Sequence, residues 1–176
     1  MTQVFLSLGS NIQRHRHITA ALDALAAHFG ALEISSVYES ESVGFNGSDF
    51  FNLVVGIDTE LAIAELSAEL KQIEDDNGRN RSGPKFSPRT LDIDILTFGD
   101  FVGVEAGVNL PREEITENAF VLLPLAELAP DLPHPVLSQT YRELWQGYDQ
   151  NRQQLWAVDF IWQGRKISEG CRPRSE

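Results

Sequence analysis

Val4, Leu6 and Leu8 alternate with Phe5 and Ser7, a period of two that predicts a strand closed by Gly9-Ser10-Asn11. Ile18, Leu22, Leu25 and Phe29 then recur at helical spacing, and Gly30 follows as a natural helix terminator. Leu32 to Tyr38 reads as a second strand and Phe50 to Ile57 as a third. The polar stretch between them, Glu39 to Asp49, holds two glycines and three serines and is expected to be a mobile loop. Ile63, Leu66, Leu70 and Ile73 mark a second helix closed by Gly78. Residues 79 to 90 contain Gly83, Pro84 and Pro88, so they cannot be regular throughout. Leu91 to Phe98 is a fourth strand.

The order β-α-β-β-α-β is the ferredoxin-like plan, an α+β fold with an antiparallel sheet under two helices. The chain beyond it is an extension of helices and strand. A short helix is expected from Ile115 to Leu128, interrupted near Pro124, and a proline-rich loop from Pro130 to Pro135. A helical turn at Tyr141 to Trp145 and a late strand at Leu155 to Trp162 complete it. Residues 1–164 read as one domain, and 165–176, which lack a core pattern, as a flexible tail.

A length of 176 residues suits a single domain. The 26 acidic residues outnumber 14 basic ones, a net charge of −12, which argues against a general nucleic-acid or anionic-membrane binder. One cysteine, Cys171, excludes an intrachain disulfide. The first residues lack a secretory pattern and no apolar run approaches the roughly 18 residues of a span, so a cytoplasmic protein is expected.

Charge distribution changes that picture. Arg79-Asn80-Arg81-Ser82-Gly83-Pro84-Lys85-Phe86-Ser87-Pro88-Arg89 carries four cations and no acid, leaving −16 on the other 165 residues. It leads straight into Leu91-Asp92-Ile93-Asp94-Ile95. On a strand Asp92 and Asp94 point to the same face, roughly 6–7 Å apart at their α-carbons. Alone, such a pair reads as two solvated acids. Beside a loop of arginines it reads as the parts of phosphoryl transfer, with acids for a magnesium ion and cations for phosphate oxygens. Gly9-Ser10-Asn11 is a weaker signal, either a turn with free N–H groups for an anion or simply a good turn and helix cap. Asn52, in Phe50-Phe51-Asn52, is an unusual strand residue. It serves either a local backbone bond or the edge of a flat heterocycle held between aromatic faces. His15, His17, His28 and His134, with Trp145, Trp156 and Trp162, read as surface or packing residues.

Taken together, these segments resemble the 6-hydroxymethyl-7,8-dihydropterin pyrophosphokinase family of folate biosynthesis. The carrying stretches are Leu8-Gly9-Ser10-Asn11, Phe50-Phe51-Asn52-Leu53-Val54-Val55, Gly78-Arg79, Ser87-Pro88-Arg89-Thr90-Leu91-Asp92-Ile93-Asp94-Ile95, and Phe120-Val121-Leu122-Leu123-Pro124-Leu125 with Ala129-Pro130. The resemblance implies transfer of pyrophosphate from ATP, the co-substrate, to a reduced hydroxymethylpterin, with release of AMP. It implies two Mg²⁺ ions on Asp92 and Asp94, and Arg79 and Arg89 as catalytic arginines. It places Arg81, Lys85, Phe86, Lys71, Glu74, Ile95 and Arg112 at ATP. It places Ser40, Val43, Gly44, Phe50, Asn52 and Phe120 at the pterin, with Phe50 and Phe120 as the sandwich. The implied partners are small molecules only, and a monomer is favoured.

The chain departs from the family pattern at several positions. Leu110-Pro111-Arg112 stands where Val-Pro-His is common, Asn118 where an arginine precedes the pocket phenylalanine, Glu41-Ser42 where prolines are common, and Phe86 where tryptophan is usual. Two other readings stay open: a divergent paralogue that binds a pterin or nucleotide with little or altered turnover, and a ferredoxin-like RNA binder. The second lacks exposed paired aromatics flanked by basic residues.

Overall fold

In chain order the elements are β1 (Thr2–Ser10), α1 (Arg14–Phe29), β2 (Glu33–Ile34), β3 (Val37–Ser40), β4 (Phe50–Thr59), α2 (Ile63–Asp76) and β5 (Asp92–Phe98). The hairpin β6 (Gly103–Glu105) and β7 (Val108–Leu110) follows, then α3 (Glu114–Glu117), α4 (Ala119–Leu128) and α5 (Tyr141–Gln146). The last elements are β8 (Leu155–Val158), β9 (Phe160–Trp162) and β10 (Arg165–Ser168). This computed structural model describes residues 1–40, 49–78 and 90–170. Of the loop expected at 39–49, Glu39 and Ser40 belong to β3, and residues 41–48, the basic segment 79–89 and the end at 171–176 lie outside the described residues.

The main sheet runs β5-β1-β4-β3-β8, with β2 also paired to β4, and every pairing in it is antiparallel. The fold is α+β. Strand alternation divides its apolar residues between two faces. Val4, Leu6, Leu8, Leu53, Val55, Ile93 and Ile95 meet Ile18, Leu22 and Leu25 of α1 and Leu66, Leu70 and Ile73 of α2. Phe5, Val54 and Leu96 meet Ile115, Val121, Leu122, Leu125 and Tyr141 on the other side. A two-faced sheet explains why β1 and β4 are apolar almost throughout rather than strictly alternating. No helix among the described residues is long and apolar enough to cross a membrane.

Several expectations need correction. β1 does not end at Gly9; it pairs through Ser10 because ladders on both sides hold it. Helix α1 starts at Arg14 behind Gln13 in a left-handed conformation, so Gly9-Ser10-Asn11 does not cap it. The second strand is split at Ser35-Ser36. There the Ser35 hydroxyl accepts from the Val54 N–H at 2.9 Å and takes the place of a ladder carbonyl.

The helix expected to break at Pro124 breaks instead at Asn118, whose backbone is extended and whose carbonyl accepts from Val121 and Leu122. Gln153 fixes this break, its Oε1 accepting from Ala119 N and its Nε2 donating to Asn118 Oδ1. Pro124 stays inside α4. A proline there costs about 3 kcal/mol. Burial of Val121, Leu122 and Leu125, each worth about 1.5–3 kcal/mol, outweighs it.

The late strand is two, β8 joining the main sheet beside β3 and β9 pairing with β10. Residues 165–168 are therefore a strand where a tail is expected. The Ser168 hydroxyl donates to Val158 O at 2.6 Å and accepts from Val37 N at 2.9 Å, tying this strand to the sheet edge. The hairpin β6–β7 has no counterpart in the sequence reading, because strands of three residues carry too little periodicity.

Two of the histidines read as packing residues have specific partners. His17 Nδ1 lies 2.6 Å from Ile12 O. His134 is buried, and its Nδ1 accepts from the N–H groups of both Val136 and Leu137 at 3.1 Å. Burial pulls its pKa below the ordinary 6.5. The fold thus favours the neutral ring: this contribution is complete above about 6.5 and declines as pH falls from there toward the folded value. His134→Ala is expected to cost about 1 kcal/mol at pH 7.5 through the orphaned N–H groups. The gap in melting temperature between wild type and variant should narrow at pH 5.5; an unchanged gap would remove the titration.

Candidate active site

Residues opposite one another on neighbouring strands share a face. The register aligns Asp92, Gly9, Asn52 and Tyr38 in one row across β5, β1, β4 and β3. The next row on that face holds Asp94, Ser7 and Val54. Both rows lie on the face covered by α4, because Val54 and Leu96 of the same alternation pack against Val121, Leu122 and Leu125. Gly9 suits a close approach here: a β-carbon on it would stand 3.1 Å from Asn52 Oδ1, which would have to give by a few tenths of an ångström. The Asn52 amide lies over a strand with no side chain at that point. We expect Gly9→Val to push this amide aside and weaken by roughly tenfold the binding of a heterocycle that pairs with Asn52; calorimetry with the pterin that the sequence resemblance implies tests this, and unchanged binding would refute the role of the gap.

Asn52 is 7% exposed and donates from Nδ2 to the Ser40 hydroxyl at 2.7 Å. Ser40 and Phe50 are themselves paired across β3 and β4 and share the face of Asn52. Phe120, the second residue of α4, packs at the margin of the core on this face. Ser40, Phe50, Asn52 and Phe120 thus converge on one side of the sheet. Val43 and Gly44 lie outside the described residues.

The second part of the site runs along the outer edge of β5. A cleft of about 320 Å³ is lined by Lys71, Glu74, Asp92, Asp94, Ile95 and Arg112, with Ser67 and Leu70 of α2 and Gly107 and Val108 of the hairpin. Six residues expected at ATP or metal are therefore brought together. Glu74 has a structural duty: its Oε2 accepts from the Ile93 N–H at 2.7 Å, closing the bare edge of β5 between the two aspartates. Ile95 is a core residue that meets the cleft at its margin. The cations Arg79, Arg81, Lys85 and Arg89, and Phe86, lie outside the described residues.

Desolvation pushes the Asp94 carboxyl up to about 6. Arg112 pulls against this, and the charges of Asp92, Glu74 and Glu114 add to the rise. Arg112 Nη2 stands 3.0 Å from Asp94 Oδ1, and its Nε 3.4 Å from Glu114 Oε2. A carboxylate like that of Asp94, whose surroundings resist its charge, is suited to a cation. Among the described residues no three His, Cys, Asp or Glu side chains group to hold an ion. Two aspartates with room beside them match magnesium, which keeps waters and completes its shell with phosphate oxygens.

Some contributors carry no signal in the sequence. Glu127 of α4 accepts from Ser36 N, the Ser36 hydroxyl and the Tyr38 hydroxyl at 2.7–3.0 Å, clamping α4 onto β3 beside Asn52. Burial, then the charge of Glu127, pushes the Tyr38 phenol far above its usual value, so it stays a donor. Arg14 donates to Asp49 O at 2.9 Å, pairs with Glu39 at 3.5 Å and lies 4.0 Å over the Phe51 ring. It thereby ties together the two strand ends that flank residues 41–48. These partners are far apart in the chain, and only the fold pairs them.

Residues 5–130 match the profile of the 7,8-dihydro-6-hydroxymethylpterin-pyrophosphokinase family. The chain belongs to this family. A 2-amino-4-hydroxy-6-hydroxymethyldihydropteridine pyrophosphokinase from Pseudomonas aeruginosa is 39% identical over 137 residues, 76% of this chain and 84% of that one. Its Aquifex aeolicus relative is 34% identical over 145 residues, 81% of this chain and 90% of that one. Among solved structures, a Plasmodium falciparum HPPK-DHPS crystallised with pterin and p-hydroxybenzoate superposes with a TM-score of 0.72 at 17% identity. That superposition covers 95% of this chain but only 48% of the Plasmodium chain, and it speaks for the fold alone. The pyrophosphokinase family match covers both the asparagine row and the paired aspartates.

Proposed function

We propose that the chain transfers pyrophosphate from ATP to the hydroxymethyl group of 6-hydroxymethyl-7,8-dihydropterin, releasing AMP, in folate biosynthesis. The observation that carries this reading is the row Asp92–Gly9–Asn52, which sets a carboxylate for a metal-bound triphosphate beside an amide for a heterocycle's edge. The hydroxymethyl oxygen attacks the β-phosphorus, the bond from that phosphorus to the α,β-bridging oxygen breaks, and the hydroxyl proton passes to solvent. Asn52 and Ser40 bind the pterin edge, and Phe50 and Phe120 hold its faces. Ile95 and the side of α2 with Lys71 and Glu74 take the nucleotide. Arg79, Arg81, Lys85, Arg89 and Arg112 neutralise the triphosphate, with Phe86 closing over it, and Val43 and Gly44 complete the pterin side. Mg²⁺, two ions held by Asp92 and Asp94, would supply charge stabilisation to the transferring group when bound.

No side chain has to act as a strong base, since positioning and charge stabilisation supply most of the acceleration in such transfers. We also read the core as ferredoxin-like, which the pairing order of β5, β1, β4 and β3 supports. A single-domain, cytoplasmic monomer with small-molecule partners suits this chemistry.

The test is incubation with ATP, Mg²⁺ and the reduced hydroxymethylpterin, following AMP by chromatography. Formation of AMP in proportion to pyrophosphorylated pterin is expected. Tight pterin binding without AMP would instead make the chain a binding protein.

A further inference from the structure

The guanidinium of Arg112 stands where a cation is wanted. Its Nη2 is 3.0 Å from Asp94 Oδ1, with Glu114 Oε2 on its other side. It is not fully committed there. Its Nε is buried and makes no hydrogen bond, Glu114 at 3.4 Å being an ion-pair contact only. The backbone is pinned by a bond from Arg112 N to Leu96 O, so only the side chain is at liberty to move, and it is 30% exposed toward the cleft. Asp94 is 44% exposed, so both members of the pair can be reached from the cleft.

We propose that Arg112 is an internal counter-cation: it occupies Asp94 while the site is empty and transfers to the triphosphate when a metal-bound nucleotide arrives. The inference rests on Asp94 being a metal ligand in the reading above. An arginine fits both states, because its fork can pair with a carboxylate or with phosphate oxygens and its charge does not depend on pH. In the empty site it offsets the repulsion among Glu74, Asp92, Asp94 and Glu114. It also competes with a free divalent ion, so metal binds well only together with the triphosphate that draws Arg112 away. The residue thus sets an order of assembly, acting on the metal through Asp94.

The probe is Mn²⁺, followed by electron paramagnetic resonance, with and without a non-hydrolysable ATP analogue. For Arg112→Gln, Mn²⁺ binding without nucleotide is expected to tighten roughly tenfold, the size of one charge-assisted hydrogen bond. Binding of the Mn²⁺–analogue complex should weaken in the same variant. Arg112→Lys, which keeps the charge, should bind free Mn²⁺ about as weakly as wild type. An Mn²⁺ affinity of Arg112→Gln within twofold of wild type, in a variant that melts normally, overturns the inference. Asp94→Asn separates the two levels: if it leaves Mn²⁺ binding in the ternary complex unchanged, the metal assignment itself fails. If it abolishes that binding while Arg112→Gln changes nothing, only the counter-cation role fails.

Discussion

Asp92→Asn and Asp94→Asn are each expected to lower AMP formation at least about 10³-fold if the pair holds magnesium as proposed, since losing a metal carboxylate removes several kcal/mol of transition-state stabilisation. The fold should survive both changes. Each side chain is partly exposed at the edge strand, and asparagine preserves its shape. For Asp94 the direction of the stability effect follows from its environment. Its carboxyl is pushed up to about 6, so at pH 7 the fold holds the ionised form at a disadvantage relative to the unfolded chain. Neutralising it should leave the melting temperature at pH 7 equal or higher, even with Arg112 left to Glu114 alone. Loss of turnover with a retained or raised melting temperature is thus the signature of a chemical role. Turnover within tenfold of wild type in both variants would remove the metal assignment.

Asn52→Ala should weaken binding of the pterin by about 10²-fold while leaving the nucleotide nearly unaffected. Asn52 sits in the row between Gly9 and Tyr38, with its Nδ2 spent on Ser40. The alanine would leave the Ser40 hydroxyl without this donor and a small void over Gly9. A site built to pair polar edges loses far more from an unpaired group than from lost contact area. Calorimetric titrations with the pterin and with an ATP analogue separate the outcomes. Equal losses for both ligands would mark general damage to the sheet, and the recognition role would then fall.

The paired aspartates were readable from local pattern because a period of two puts both on one face, and the register of β5 against β1 keeps them there. Lys71 and Glu74 were legible only through resemblance; the cleft that gathers them depends on α2 lying along the β5 edge. Glu127, Arg14 and Gln153 were not legible at all. Each looks like an ordinary surface polar residue, and its partner lies tens of residues away. Pro124 was misread for a similar reason. Local propensity breaks a helix at proline, while burial of the apolar side chains around it holds α4 together.

The hydrophobic pattern by itself determined the alternation of strands and helices as far as β5, apart from the split of the second strand, and the α+β class, because period and helix termination are local properties. Tertiary structure alone decided the rest. It sent β1 between β4 and β5, and so laid Asp92, Gly9 and Asn52 in one row. It drew residues 155–168 into the sheet and a second hairpin, where local pattern foresaw one strand and a tail. It also set Arg112 on Asp94. Pairing of distant strands is chosen by burial on two faces at once, and no window of neighbouring residues contains that choice.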